Sequence, residues 1–171
     1  MAISNFPQNQ ASYAIDVIPS DTINIPQPGS IVGGTSSTTG NTLTDASATF
    51  LNSSSNASGY NIRGGDVVIV NGEMAEVETV DSDTVITLKS AISAVAGYSY
   101  KIYKGNGGDL KFGYNGYSLF VGTSGDVAVL PAGTGDDSVI LKNVASNSYV
   151  PLQVQRVLST GTTATHILGL E

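Results

Sequence analysis

Cysteine and tryptophan are absent from these 171 residues, and there is a single histidine. Such a chain can build no disulfide framework, no thiolate nucleophile and no thiolate metal site. Charge is scarce as well: Asp, Glu, Lys and Arg make up 12% of the chain, with 14 acidic against 7 basic residues and a net charge of −7. A phosphate backbone calls for a concentrated positive surface. The few cations here are scattered, so nucleic acid is not an expected partner. The start, Met1-Ala-Ile-Ser-Asn-Phe-Pro7, lacks the basic opening and apolar run of a secretory signal, and no stretch approaches membrane-spanning length. The expectation is a protein made in a cytoplasm, with no membrane partner.

The catalytic inventory is equally thin. His166 lies within Thr-Thr-Ala-Thr-His-Ile with no acid close by in sequence, and alternation places it opposite Ile167. That pattern favours a surface or interface imidazole over a general base. Asp81 with Asp83, and Asp136 with Asp137, sit in turn-like contexts and lack the wider ligand pattern of a calcium loop. Gly105-Asn-Gly-Gly108 and Gly122-Thr-Ser-Gly125 open no helix, so neither is expected to cradle phosphate. The chain therefore reads as non-enzymatic, with no catalytic residue, no metal and no cofactor.

Present in quantity are Thr, Ser, Val, Ile, Gly and Tyr, and hydrophobic residues reach 40%. This is enough apolar material for a core, and the residue types favour strands over helices. The most informative run is Tyr149 to Leu170. Val150, Leu152 and Val154 alternate there with Gln153 and Gln155, the period of a strand with one dry and one wet face. A Ser159-Thr-Gly161 turn is expected to return the chain as a second strand, closing a hairpin that sends Ile167 and Leu168 to the core.

Glycine-rich breaks at Gly33 and at Gly105–Gly108 predict a guest module within a split host. In the guest, Asp66-Val-Val-Ile-Val70 and Met74–Val80 flank Asn71-Gly72, a strong hairpin signal, and Thr84–Leu88 and Tyr98–Tyr103 follow. Lys89–Gly97 can form one helical turn. The predicted fold is all-β, a split jelly-roll-like β-sandwich carrying an inserted small SH3-like β-barrel. Residues 1–13 read as an arm, 14–32 with 109–171 as the sandwich, and 33–108 as the barrel. The tyrosines Tyr98, Tyr100, Tyr103, Tyr114 and Tyr117 either pack between strands or line a glycan- or protein-binding surface. A surface poor in charge and rich in hydroxyls and amides suits association with other proteins.

Three pieces occur in an order that resembles a family of tailed-phage virion proteins that includes head spike bases. They are Val17-Ile-Pro-Ser-Asp-Thr-Ile-Asn-Ile25, Ser118-Leu-Phe-Val-Gly-Thr-Ser-Gly-Asp-Val-Ala-Val129 and Val150–Ile167 with its Ser-Thr-Gly-Thr-Thr-Ala turn. Together they cover roughly half the chain, and the insert is a departure from the compact members. The resemblance implies a structural protein on the capsid exterior, either decoration or vertex spike base. Such a protein docks on the major capsid protein or other virion proteins and forms a homo-oligomer about a symmetry axis. Phe6, Arg156 and His166 are the candidate contacts with neighbours. The alternative is a tail, baseplate or fibre component whose tyrosines bind a host glycan.

Overall fold

The computed structural model describes residues 11, 13–26, 30–51, 61–93, 96–105, 116–133 and 135–171. Its strands form two separate hydrogen-bonded systems. One is a six-stranded open sheet in the order β1-β12-β8-β11-β9-β10, and the other is a closed six-stranded barrel, β2-β3-β6-β5-β4-β7. The sheet uses β1 (Ala14–Asp16), β8 (Tyr117–Thr123), β9 (Gly125–Pro131), β10 (Val139–Val144), β11 (Ser148–Val157) and β12 (Thr165–Leu170). The barrel uses β2 (Ser30–Thr39), β3 (Thr42–Thr44), β4 (Val67–Val70), β5 (Glu73–Ser82), β6 (Val85–Leu88) and β7 (Ala96–Tyr103). All pairings are antiparallel. The barrel lies inside the sequence of the sheet, so the fold is all-β with an inserted guest.

Local chemistry accounts for the barrel's register. Asn71 and Gly72 both take positive φ, 50° and 75°, which brings Val70 opposite Glu73 and starts the β4–β5 ladder. Leu43, Val68, Val77, Ile86, Leu88 and Ile102 then fill the interior with no measurable exposure. The expected boundary at Gly33 shifts, because β2 begins at Ser30, and Gly33 and Gly34 lie inside that strand. Glycine serves a packing purpose at position 34, where a Cβ would collide with the Asp45 carboxylate and crowd the Tyr100 ring. Both ends of the guest emerge side by side, since Ser30 pairs with Tyr103. Lys89–Ser93 form no helical turn, and Ala96 and Gly97 already belong to β7.

The open sheet bends at β11, which changes neighbour along its length. Its first half pairs with β8, from Ser148↔Val121 to Val154↔Tyr117, and its second half pairs with β9, ending at Val157↔Val129. Residue 124 alone joins β8 to β9, although β11 runs between them. A single residue spans that gap only if the sheet folds over across β11, the way strands pass between layers of a β-sandwich. Ile15, Leu119, Val121, Val127, Val129, Val154 and Ile167 meet in the enclosed core.

Three local expectations give way here. Gln155 is buried, not wet, because a register shift between Val154 and Arg156 places two successive residues inside. Tyr149–Leu170 is not a hairpin, because β12 pairs with β1 and β8 and not with β11. Leu168 belongs to the side of β12 opposite the buried Ile167, outside the core. The expected strand Asp109–Tyr114 and the residue Asn115 lie outside the described residues.

Candidate interaction surface

The loop Ser159–Ala164, between β11 and β12, gathers the other two segments of the resemblance around it. On one side stands Asp21. Ser20 caps its own turn through the N–H groups of Thr22 and Ile23, leaving the Asp21 side chain to reach across the fold. Its carboxylate accepts hydrogen bonds from the Thr160 N–H (2.9 Å), the Ser159 hydroxyl (2.7 Å) and the Thr160 hydroxyl (2.9 Å). These donors, led by the Thr160 amide, hold the Asp21 carboxyl below its ordinary value of 3.8. Arg156 completes the clasp, donating from Nε to Asn24 Oδ1 at 2.8 Å and from Nη1 to the Asp21 carbonyl at 2.9 Å.

On the other side the same loop grips the start of β9. Thr163 Oγ1 accepts from the Asp126 N–H, and Thr162 Oγ1 accepts from the Ala128 N–H, each at 2.9 Å. Gly125 is needed for this approach, since a Cβ there would lie 2.5 Å from the Ala164 nitrogen. Gly122 is constrained alike, its Cβ position falling 2.9 Å from both the Cβ and the carbonyl oxygen of His166. The closely spaced glycines of Gly122–Gly125 thus let two backbones touch. Asp126 also binds Lys142 at 2.7 Å and the Asn143 N–H at 3.0 Å, which hold its carboxyl down, Lys142 most of all.

The three candidate contact residues do not form one site. Phe6 lies outside the described residues. Arg156 is half-buried and engaged within its own chain by Asn24 and Asp21. His166 is exposed on β12, its Nδ1 lying 3.1 Å from Thr123 Oγ1 and 3.2 Å from Thr165 Oγ1. Its φ of +55° is uncommon for a residue with a side chain inside a strand. Sequence reasoning overlooked Asp21 and Asn24 as partners of Arg156. They stand more than 130 residues away in sequence, a separation that local pattern does not bridge.

Of the tyrosines, Tyr100 and Tyr117 are buried, Tyr103 is half-buried, Tyr98 is 45% exposed, and Tyr114 lies outside the described residues. Among the described residues no cluster of three or more His, Cys, Asp or Glu side chains could hold a metal ion. Asp83 binds the Leu51 N–H, while Asp81 binds the hydroxyls of Thr79 and Thr87. The apolar side chains most open to solvent include Tyr149 at 54%, Leu51 at 48%, and Val139 and Ile140 at 46% each.

Compared with family models, curated proteins and solved structures, the chain matches none.

Proposed function

We propose that this chain is a non-enzymatic structural protein of a tailed-phage virion, seated on the capsid exterior as a decoration protein or vertex spike base. The sheet docks on the shell and self-associates, while the barrel projects. The observation that carries the reading is the convergence around Ser159–Ala164. All three segments that resemble the virion family meet there, through Asp21, Asp126, Ala128 and the two glycines of the β8–β9 corner. Pieces that share an order in sequence and also interlock in space behave as one folding signature, which supports a common fold better than three chance likenesses would. A site for chemistry, by contrast, would leave those polar groups facing a ligand. Here they bind one another.

An exterior subunit of this kind works by complementary burial at repeated interfaces, where symmetry multiplies a modest contact energy. The test is the location of the chain in fractionated particles. Recovery with heads at a fixed copy number, and density for the fold on the outer shell in a subunit-resolution image, are the expected results. Enrichment with isolated tails would overturn the head assignment. It would favour the rival reading, a tail or fibre protein that binds a glycan, for which the exposed Tyr98 on the barrel is the supporting observation.

A further inference from the structure

The outward face of β1, β12, β8 and β11 carries a pattern of its own. Directly opposed residues on antiparallel strands point to the same side of the sheet. The register Asp16↔Leu168, Leu168↔Phe120 and Phe120↔Tyr149 therefore sets Asp16, Leu168, Phe120 and Tyr149 in one row across the four strands. The alternating residues Ile15, Ile167, Leu119 and Val121 are buried on the other side, which fixes this row as outward. A second row, Ala14, Leu170 and Ser118, runs beside it. The outer face thus sets the half-buried apolar side chains Leu168, Phe120 and Leu170 among the polar Asp16 and Ser118, and water is a poor covering for the apolar part.

We infer that this face is the contact surface for a second copy of the same chain, two copies stacking sheet on sheet about a two-fold axis parallel to the strands. The inference rests on the self-association proposed above and names its surface. The argument is complementarity within the row. It has a hydrogen-bond acceptor, the exposed Asp16 carboxylate, at one end and a donor, the hydroxyl of Tyr149, at the other, with two apolar side chains between. Strands lie about 4.8 Å apart, so the row spans roughly 14 Å. An axis along the strands reverses it, laying Asp16 over the second copy's Tyr149 and Leu168 over the second copy's Phe120, each contact made twice. Sheets stacked about 10 Å apart bring such side chains into touch. A partner of unrelated sequence would require no symmetric placement of donor and acceptor about the row's centre, whereas an isologous contact does.

The test uses the purified full chain. Sedimentation across a concentration series should show a monomer–dimer equilibrium. Tyr149→Asp sets two carboxylates against each other at both ends of the row and should raise the dissociation constant by about tenfold or more, as like-charge juxtaposition does. Adding Asp16→Lys to it should restore dimerisation, a rescue that a merely sticky face would not give. Both positions are exposed, and melting curves check that the variants fold.

A second measurement needs no charged variant. The chain has no cysteine of its own, so Asp16→Cys and Tyr149→Cys chains mixed together should cross-link to each other, and neither should cross-link alone. A chain that stays monomeric at every concentration leaves the face to another partner and overturns the inference. So does a dimer indifferent to Tyr149→Asp, or one whose cysteines cross-link only like with like. None of these results bears on where the protein sits in a particle, which fractionation decides separately.

Discussion

The barrel and the sheet solve the same problem of burying strand surface, and they end in opposite conditions. The barrel returns to its own first strand, so its ladders leave no edge, and its core from Leu43 to Ile102 is filled by its own strands and by Phe50, Ile62 and Ile92 from its loops. The sheet ends at β1 and β10 with an edge on each side, and its outer face keeps Phe120, Leu168 and Leu170 only half-buried. Each unit is pinned by a buried tyrosine. The Tyr100 hydroxyl donates to the Asp45 carboxylate in the barrel, and the Tyr117 hydroxyl donates to the Pro26 carbonyl in the sheet. Burial pushes both phenols well above the ordinary tyrosine range. The difference teaches where association can arise. A closed barrel has no edge left to pair, while an open sheet keeps two edges and a partly apolar outer face.

The largest expected effect comes from removing one unit. Replacing Ser30–Ile102 by a short Gly-Ser link should leave the sheet folded, since Ser30 and Tyr103 are paired neighbours whose Cα atoms are roughly 5 Å apart. Retained cooperative melting of the product is the expected reading, and an unfolded product would break the division into two units.

Core truncation comes next. Ile86→Ala in the barrel and Leu119→Ala in the sheet should each cost roughly 2 to 5 kcal/mol, because both side chains are fully buried, in separate clusters. Hydrogen exchange should show each loss confined to its own unit. One shared loss of protection would mean that the units unfold together.

Gly125→Ala should cost roughly 1 to 3 kcal/mol, because the new Cβ meets the backbone of Ala164. The loss should appear in the amides of β9 and β12 and spare the barrel. Tyr100→Phe and Tyr117→Phe should each cost about 1 to 2 kcal/mol in denaturant titrations, the former more because its acceptor is a carboxylate.

The smallest effect concerns acid. The carboxyl of Asp21 is depressed in the folded chain, so its contribution is present above the ordinary value of 3.8 and is lost as pH falls through the folded value. Asp21→Asn should therefore flatten the acid limb of the stability curve for the sheet. Near neutral pH the variant should be weakened only through the altered clasp.

Much of this architecture was legible because its signals are local. Asn71-Gly72 forms the expected turn, and the nearly continuous apolar run Val67–Val70 became a buried barrel strand. What escaped depended on partners distant in sequence. Alternation along β11 holds through Gln153 and fails at Gln155, because the strand changes neighbour there and a bulge resets its phase. The final two strands look like a hairpin because a turn joins them, yet nothing in their own residues says that β12 will cross to the far side of β8. Glycines at 33 and 34 suggest a hinge until Asp45 and Tyr100 are seen to occupy the space that a side chain at 34 would need. Arg156 could be singled out, but its employment could not, because Asp21 and Asn24 arrive from the other end of the chain.

The neighbouring ends of the barrel also bear on the order of folding. Tyr117 must find Pro26 across 91 residues, most of them belonging to the barrel. A barrel that folds first ties Ser30 to Tyr103 and replaces that long search by two short links. Shortening the loop about fivefold recovers roughly 1.4 kcal/mol of closure entropy. The guest thereby becomes an internal splint for its host, setting the two halves of the sheet in reach of each other. Pulse-labelled amides should accordingly gain protection in β4 to β7 before β1 meets β12, and the reverse order would show that the host assembles without its help.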